Sequence, residues 1–493
     1  YLQELRRDSF QRGYLGFQGQ TQFSSNLRMS LNLNYVTDPY YLRDFSLSAM
    51  NSSRSQLVND IALKYVGYHW RWSLLLQAFQ TLHMIDEEPI MDQYRRLPEL
   101  DISGDYPHAF KKIALGLQAQ LVNFAYQSGY SLAPTSARSL GMRLHLRPYF
   151  SSTFALLGGK LQPELALDAL SYAAKLPVHV AGVARQRWDH SQAIPMFKVM
   201  SHWRFARDVH LAKHKYYQTL IPEFQYQYIP YVNQSSNPIF DSYVKPLTFS
   251  NLFSWNQFAG LDRLQNTSQV DMGLASGIYK ASDGQPVLRG GIGMAYYYAA
   301  RRVCLTAGCH PQPVGMSPLV AQVVYKLATR WNLSSHVSWD PRHKQIQSAD
   351  IGAGYQFSTQ GLVHLGYLNV KPSTDLPVGP FDLTQQTRLL DTAIAMPLGK
   401  NVSVLGDYYY NLDKNYAESY FFGIQYSSCC WASRLIYRHY FVAIDPSNPN
   451  ARQYENAVYL QLMFKGLGMV SSGHTEQLLA NSLPGYNDIF NQN

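Results

Sequence analysis

Charged residues and cysteines are scarce in this chain of 493 residues. Asp, Glu, Lys and Arg together make up 15% of the sequence, and only 4 residues are cysteines. Soluble globular proteins usually carry about 25% charged residues, so this composition is not typical of a cytosolic protein. The sequence also has no run of about 18 consecutive apolar residues, which excludes a transmembrane helix.

Dense clusters of positive charge are missing too, although the formal net charge is +9. Lys and Arg are spread along the chain and do not form the runs of about five to eight residues that mark nucleic-acid-binding segments. We therefore predict no nucleic-acid partner. The sequence has no G-x-S-x-G, H-E-x-x-H or P-loop motif, and the spacing of Ser, His and Asp does not support a triad. We predict no enzymatic activity, no metal site and no cofactor.

Aromatic residues, in contrast, are abundant: they form 14% of the sequence and include 37 tyrosines. From near the start to about Lys465, apolar and polar residues alternate in short segments, which is the period of two that predicts β-strands. The apolar members of four clear segments are Met29, Leu31, Leu33 and Tyr35; Ile113, Leu115, Leu117, Ala119 and Leu121; Ile351, Ala353, Tyr355 and Phe357; and Val458, Leu460, Leu462 and Phe464.

Soluble β-sandwiches and outer-membrane barrels share this alternation, so the period alone does not separate them. Three further features favour the barrel. Apolar faces end in Tyr, Trp or Phe, the opposite faces carry Gln, Asn, Ser and Gly, and short connections such as Leu398–Asn401 alternate with long ones such as Val36–Leu57. We predict an all-β fold: a large antiparallel transmembrane β-barrel with roughly 22 strands over residues 1–470, and a C-terminal tail at 471–493.

A barrel of this width has a lumen too large for its own side chains to fill, so it has to be plugged or gated. The sequence contains no obvious globular plug, and we expect the plug to come from another chain. The glycines of RGGIGMAYYY, from Arg289, alternate with Ile292, Met294 and Tyr296 in one predicted strand. We expect them to ease strand curvature rather than to bind phosphate.

Cys304 and Cys309 lie in RRVCLTAGCHPQPVGM, a connection between two predicted strands. The C-x-x-x-x-C-H spacing departs from the haem-attachment motif, and a fourth metal ligand is missing nearby. In an oxidising compartment two cysteines this close favour a local disulfide, which we predict here.

Cys429 and Cys430 are adjacent and lie in the short connection SSCC, before a predicted strand that begins at Trp431. Short connections belong on the periplasmic side of an outer-membrane barrel. Two free thiols exposed to that oxidising compartment would be open to oxidation, so partners outside this turn are the better interpretation.

Several segments together resemble the LptD family of lipopolysaccharide-assembly outer-membrane proteins. They are YQTLIPEFQYQYIPYVNQSSNPIFDS from Tyr217, LFSWNQFAGLDRLQNTSQVDMG from Leu252, VTDPYYLRDF from Val36, the CCW at Cys429 and the ending LQLMFKGLGMV. Residues at the family's spacing in the second segment include Asn256, Phe258, Gly260, Asp262, Arg263 and Gln269.

The resemblance implies a 26-stranded barrel, integral to the outer membrane of a Gram-negative bacterium. Such a barrel receives lipopolysaccharide from a periplasmic bridge protein and inserts it into the outer leaflet. A plug lipoprotein of the LptE type fills the lumen, through which the sugars pass. Lipid A leaves sideways into the outer-membrane lipid through a seam between the first and last strands. The last strand maps to about residues 456–466, with Val458, Leu460, Leu462 and Phe464 on its apolar face.

The resemblance also places Tyr1 inside the family's barrel, so we expect the N-terminal periplasmic domain and the first strands to be absent. The family's adjacent cysteines form disulfides with that domain, which assigns this role to Cys429 and Cys430 and leaves both unpaired in this chain. Cys304 and Cys309 fall outside the family pattern.

Polar side chains on the predicted inner faces are candidate lumen-lining residues and weak sugar contacts: Gln118, Gln120, Glu223, Gln225, Gln227 and Gln461. The alternative function is a large outer-membrane diffusion channel or gated transporter, because a wide polar lumen would also suit such a protein.

Overall fold

The computed structural model describes residues 13–38, 41, 56–82, 93–110, 112–125, 139–177, 185–211, 214–305, 310–327, 330–371, 386–445, 448–465, 468–471, 479, 483 and 486. Most of these residues lie in β-strands. No helix among these residues is long and apolar enough to cross a membrane.

The described residues form 27 strands and one short 3₁₀ turn, Phe249–Asn251. The strands are β1 Tyr14–Gln22, β2 Leu27–Val36, β3 Gln56–Val66, β4 Trp70–Thr81, β5 Arg95–Phe110, β6 Ile113–Ala125, β7 Leu140–Ser152, β8 Phe154–Leu156, β9 Gly159–Pro177, β10 Arg185–His202, β11 Phe205–Leu211, β12 His214–Ile229, β13 Tyr243–Val244, β14 Phe258–Ala259, β15 Thr267–Lys280, β16 Pro286–Tyr297, β17 Gly315–Met316, β18 Leu319–Leu327, β19 Trp331–Asp340, β20 Gln345–Gln356, β21 Leu362–Val370, β22 Thr387–Pro397, β23 Val402–Asn411, β24 Tyr416–Ser427, β25 Trp431–Asp445, β26 Asn448–Phe464 and β27 Gly468–Ser471.

Every strand pairing within the described residues is antiparallel, and 25 strands form one sheet. Three short strands pair with a long neighbour: β8 with β9, β11 with β12 and β17 with β16. A separate two-stranded sheet is formed by β13 and β14. Without these five, the remaining 22 strands follow one another as an up-and-down meander in chain order. The predicted fold class, all-β and antiparallel, is confirmed, and the meander agrees with the predicted number of strands.

The two faces of the sheet differ sharply in polarity. On β7, the side chains of Leu144 and Leu146 are exposed on one face, whereas the side chain of Arg143 on the other face is fully buried. On β25, Leu435 and Tyr437 are exposed and Arg434 is buried. We call the face with the buried and polar side chains the inner face, and the one with exposed apolar side chains the outer face. Large exposed apolar side chains on most of the long strands are the pattern that suits lipid rather than water.

Residues 230–266 connect β12 to β15 and pack against the inner face; we call them the inner segment. Phe240 is buried against β6 and β9, Leu264 against β9 and β10, and Leu252 against β16 and β18. The chain therefore fills part of its own interior. The sequence pattern did not predict this, because it contained no segment with the size or periodicity of a separate plug.

Gly291 and Gly293 of β16 make room for the inner segment. A Cβ atom at Gly291 would lie 2.3 Å from Phe249, and one at Gly293 would lie 2.6 Å from Leu252. The expected role in strand curvature is thus not the main constraint at these two positions. Only glycine lets the side chains of the inner segment lie directly on the strand backbone.

A second part of the chain packs against the inner face near the C-terminus. Leu479 and Leu483 are both buried in an apolar cluster. Each strand from β21 to β26, both included, contributes at least one residue to it. Tyr486 packs against this cluster, and its hydroxyl lies 3.3 Å from the Nε2 of Gln425 on β24. We call Leu479, Leu483 and Tyr486 the C-terminal anchor.

Candidate functional site

The inner segment is held in a defined shape by side-chain hydrogen bonds to its own backbone. Around the 3₁₀ turn, the backbone N–H of Thr248 donates to the Oδ1 of Asn251 at 2.9 Å, and the Nδ2 of Asn251 donates to the carbonyl of Pro246 at 2.7 Å. Amide side chains replace the ladder hydrogen bonds that the segment lacks. The segment can therefore stay compact although only β13 and β14 are regular.

Three charged side chains fix the inner segment to the sheet, and we call them the charge cluster: Arg143 of β7 with Asp241 and Asp262 of the segment. The Nη1 of Arg143 lies 2.7 Å from the Oδ1 of Asp241 and 2.7 Å from the Oδ1 of Asp262, and its Nη2 lies 2.7 Å from the Oδ2 of Asp241. Arg143 and Asp262 are both 0% exposed. Burial removes the screening by water, so the cluster tolerates only this geometry.

The carboxylate of Asp262 has a full set of partners. Its Oδ1 accepts from the hydroxyl of Tyr172 on β9 at 3.0 Å. Its Oδ2 accepts from the backbone N–H groups of Phe240 and Asp241 at 2.8 and 3.0 Å, and from the hydroxyl of Ser242 at 3.2 Å. A buried charge that satisfies its lone pairs in this way fixes two stretches of the inner segment to each other.

Arg263 binds backbone rather than carboxylates. Its guanidinium donates to the carbonyls of Asn237 at 2.9 Å, Pro238 at 3.3 Å and Cys304 at 3.1 Å. The bond to Cys304 joins the inner segment to the connection that follows β16. The Nδ2 of Asn256 in turn donates to the carbonyl of Arg263 at 2.6 Å.

The other residues of the signature also serve the folding of this region. Phe258 is buried against Val303 and Leu305 of the next connection. Gly260 has φ +69, and a Cβ there would lie 2.5 Å from the Oδ1 of Asp241, so the charge cluster needs glycine at this position. Gln269 of β15 accepts from the hydroxyl of Thr267 at 2.6 Å.

The structure thus brings Asn256, Phe258, Gly260, Asp262 and Arg263 together in the inner segment, with Gln269 in the strand that follows. Sequence reasoning missed Arg143, Asp241 and Tyr172, which complete the cluster. One signal was available: Arg143, His145 and Arg147 alternate on a single face of β7, and two arginines with a histidine between them require polar partners when they are buried.

The predicted lumen-lining residues divide into two groups. Gln225 and Gln227 are buried under the inner segment, where the Nε2 of Gln227 donates to the carbonyl of Trp255 at 2.6 Å and that of Gln225 to Asp271 at 3.0 Å. Gln461 is buried and accepts from Arg434 at 3.1 Å.

Gln118 is exposed, whereas Gln120 and Glu223 are partly buried. Gln120 donates to Asp101 at 2.9 Å and accepts from Arg143 at 2.8 Å. A role of these six side chains as sugar contacts stays a prediction.

Trp255 marks a second point of attachment. Its indole Nε1 donates to Glu164 of β9 at 3.2 Å, and the Nζ of Lys198 of β10 lies 4.4 Å from the ring centroid. Lys198 and Glu164 are themselves 3.3 Å apart. This arrangement combines an ion pair, a hydrogen bond and a cation–π contact on one aromatic side chain.

The two adjacent cysteines lie where β24 turns into β25. We call residues 427–430, which include the last residue of β24, the cysteine turn. Cys429 and Cys430 are free and exposed, with their Sγ atoms 2.7 Å apart. Hydrogen bonding and charge repulsion from Cys429 raise the pKa of the Cys430 thiol. Lys465 crosses the turn, and its Nζ lies 3.1 Å from the Oγ of Ser427.

Cys304 is disulfide-bonded. Cys309 lies outside the described residues, so the predicted local disulfide between the two stays a prediction. Within the described chain no group of three or more His, Cys, Asp or Glu side chains is arranged to hold a metal ion.

The strand predicted to be the last, at about residues 456–466, starts earlier than expected in the structure and is followed by one more strand. It runs over Asn448–Phe464 as β26, and a short strand, β27, follows it and pairs with its end from Gln461 to Phe464. The sequence pattern missed β27 because four residues are too few to show a period. The apolar side chains of this strand are exposed on the outer face of β26, namely Val458, Leu460, Leu462 and Phe464. Their place at a lateral gate stays a prediction.

Comparisons with known proteins point to one family. The family model for LptD, LPS transport system D, matches residues 10–402. The LPS-assembly protein LptD of Coxiella burnetii is 35% identical over 480 residues, which cover 95% of this chain and 54% of that protein. The LPS-assembly protein LptD of Legionella pneumophila is 30% identical over 502 residues, covering 99% of this chain and 59% of that protein. The chain therefore spans little more than half the length of these curated relatives.

Solved structures give weaker matches. The siderophore receptor PirA from Acinetobacter baumannii aligns with a TM-score of 0.38 and 8% identity, over 94% of this chain and 76% of that one. The copper transporter OprC aligns with a TM-score of 0.34 and 9% identity, over 93% and 70% of the two chains. Scores this low carry no argument.

Proposed function

The chain belongs to the LptD family, and from this premise we propose that it inserts lipopolysaccharide into the outer leaflet of the outer membrane. It is an integral outer-membrane protein. The observation that carries the proposal is the contrast between the two faces of the sheet: apolar side chains are exposed on the outer face, and polar side chains lie on the inner face.

Lipopolysaccharide joins an anionic sugar chain to a lipid anchor with several acyl chains, and these two parts need different surroundings. The sugars need hydrogen-bonding groups and water, which a polar inner face supplies. The acyl chains need hydrocarbon, which is in contact with the outer face. A single molecule can therefore pass only if its sugar follows the interior while its lipid leaves sideways.

In the proposed mechanism, lipid A leaves through a seam between the first and last strands of the barrel. Unpaired strand edges in hydrocarbon cost several kcal/mol per exposed group, as an order of magnitude, so such a seam has to be short or transient. The outer-face side chains of β26, from Val458 to Phe464, would contact the acyl chains there.

The proposed partners are a plug lipoprotein of the LptE type and the periplasmic bridge protein that supplies lipopolysaccharide. The inner segment supports a shared plug: it covers the inner face from β6 to β18 with this chain's own residues. The lipoprotein would then fill the part of the interior that the inner segment leaves open.

The cysteine turn is proposed to join the barrel to a periplasmic domain through disulfides. Two features support this: both thiols are exposed, and the turn is short, as periplasmic turns are. The test is a comparison of non-reducing and reducing gels of the full-length protein with Cys429→Ser, Cys430→Ser and the double variant. We expect the mobility shift to decrease in each single variant and to vanish in the double one. A shift that persists in the double variant would contradict the assignment.

The function itself is tested by depletion. Cells depleted of the protein should keep newly labelled lipopolysaccharide away from the cell surface, and an intact copy of the gene should restore delivery. Normal surface delivery in depleted cells would refute the proposal. The alternative of a diffusion channel or gated transporter predicts ion conductance in planar bilayers by the barrel with its lipoprotein in place, and we expect that conductance to be absent.

A further inference from the structure

The outer face changes from apolar to cationic at one end of β11, β12 and β15. Phe205, Leu220 and Leu274 are exposed on this face. Arg207 follows Phe205 on the same face of β11, and Lys280 follows Leu274 on the same face of β15. Successive turns of the meander alternate between the two ends of the sheet, so the turn after β15 lies at the same end as the cysteine turn. Short turns mark the periplasmic end of an outer-membrane barrel, and the two cations therefore lie on the side of the periplasmic leaflet.

The strand register brings the two cations close together on the outer face. Arg207 of β11 is the cross-strand neighbour of Gln218 on β12, and Lys280 of β15 is the neighbour of Tyr216 on β12. Neighbouring strands are about 4.8 Å apart and alternate residues about 6.6 Å apart, which puts the Cα atoms of Arg207 and Lys280 about 12 Å from each other. Two long, flexible side chains at this separation can reach the same headgroup.

Hydrogen bonds orient this surface but leave most of its donors unused. Gln218 accepts from the Nε of Arg207 at 2.8 Å, and the Nε2 of Gln218 lies 3.5 Å from the Oγ of Ser276. Within the described part of the chain, neither Nη atom of Arg207 has a hydrogen-bond partner, and the same holds for the amine of Lys280 and the hydroxyl of Tyr216. These donors are available to a ligand.

No carboxylate of these strands neutralises the two cations. The described residues of β11, β12 and β15 include no Asp or Glu on the outer face. At the opposite end of the sheet, exposed arginines do have such partners: Arg187 and Asp189 are 2.7 Å apart, as are Arg388 and Asp413. Cations that border the lipid without a counter-ion attract anionic headgroups, and guanidinium and amine groups bind phosphate through charge-assisted hydrogen bonds.

We propose that Arg207, Lys280 and Tyr216 form a binding site for the phosphate headgroup of an anionic phospholipid in the periplasmic leaflet. A lipid fits this surface better than an acidic protein does, because the same face continues into the exposed apolar band that contacts acyl chains. A protein partner would have to displace lipid to reach it. The proposal uses the outer-membrane location and the proposed orientation of the barrel, and it does not depend on which molecule the barrel transports.

The test is native mass spectrometry of the full-length protein with its partners, titrated with phosphatidylglycerol or with phosphatidylcholine of the same acyl chains. Phosphatidylglycerol should bind more tightly than phosphatidylcholine. Lys280→Gln should weaken phosphatidylglycerol about tenfold and leave phosphatidylcholine unchanged, as expected for the loss of one charge-assisted hydrogen bond. The combination of Arg207→Gln and Lys280→Gln should abolish the preference, and Arg207→Lys should retain it because the positive charge remains.

Lys215→Gln is the matched control, because Lys215 is an exposed lysine that precedes Tyr216 on β12 and therefore lies on the opposite face of the sheet. It removes the same charge at the same end of the sheet and should keep the preference for phosphatidylglycerol. Equal weakening by Lys215→Gln and Lys280→Gln would show that net charge attracts the lipid, and it would overturn the proposal. So would a preference that survives in the double variant, or full displacement of the lipid by inorganic phosphate. None of these failures affects the depletion experiment, which tests transport separately.

Discussion

Two parts of this chain pack against the inner face of its sheet, and they are held by different forces. The inner segment is fixed by the charge cluster of Arg143, Asp241 and Asp262, with side-chain hydrogen bonds around it. In the described residues of the C-terminal anchor, Leu479 and Leu483 are buried in an apolar cluster, and the hydroxyl of Tyr486 accepts a hydrogen bond from Gln425.

The difference determines how precisely each part is positioned. Apolar packing adapts to moderate changes of shape, whereas a buried ion pair loses most of its value when the geometry shifts. The inner segment packs against the inner face from β6 to β18 through buried charges as well as apolar residues, and there a fixed position matters. The C-terminal anchor covers the inner face of β21 to β26, where coverage alone suffices.

Arg143→Met should have the largest effect, because it leaves the buried carboxylate of Asp262 without its cation. We expect a loss of about 3–5 kcal/mol in the stability of the inner segment. Hydrogen exchange of the amides of residues 230–266 measures it. The control is Arg187→Met, which removes an ion pair whose arginine side chain is 82% exposed, and it should change little. Equal exchange in the two variants would show that the charge cluster does not hold the segment.

Gly260→Ala should have the next largest effect on the inner segment. Any residue with a side chain pays about 1–2 kcal/mol for the left-handed backbone, and the clash with Asp241 adds about 1–3 kcal/mol. Gly284→Ala is the matched control: Gly284 has φ +70 but no atom within 4 Å of its Cβ position. Urea unfolding should therefore show a clear gap between the two variants. If both lose the same stability, the contact with Asp241 is not tight.

Leu479→Ala tests the apolar side of the comparison. We expect a loss of about 2–3 kcal/mol in unfolding free energy, at the lower end for buried leucines because Leu483 and Tyr486 still pack against the cluster. The exchange of residues 230–266 should not change. Leu398→Ala, at an exposed turn residue, is the control and should be nearly neutral. Faster exchange in the inner segment of Leu479→Ala would show that the two parts are coupled.

The smallest effect concerns the cysteine turn and involves no change in fold. A raised pKa leaves less thiolate at a given pH, so Cys430 should react slowly with iodoacetamide at pH 8 in reduced protein. Cys429→Ser removes the main cause and should speed alkylation of Cys430. An unchanged rate would mean that Cys429 does not control the Cys430 thiol.

The sequence predicted the strands and their faces well, for a physical reason. Alternation is a local property, so Val458 and Leu460 could be assigned to one face of their strand without knowledge of the rest of the chain. The short turns at Leu398–Asn401 and at the cysteines were also readable. Each is a tight connection between two segments in which apolar and polar residues clearly alternate.

What covers each face could not be predicted, because that depends on residues distant in sequence. Gln225 and Gln227 were correctly placed on a polar face, but the period of two cannot tell water from a packed segment. Asp262 meets Arg143 across 119 positions of sequence, and no local pattern encodes that pairing. The family signature pointed to the right stretch without giving its physical role.

The most direct measurement of the central claim is photo-crosslinking from the inner face in living cells. A photoreactive residue in place of Gln118 should form an adduct with lipopolysaccharide, and the adduct should disappear when lipopolysaccharide supply to the outer membrane is stopped. Absence of any adduct at this position in cells that deliver lipopolysaccharide normally to their surface would contradict the account.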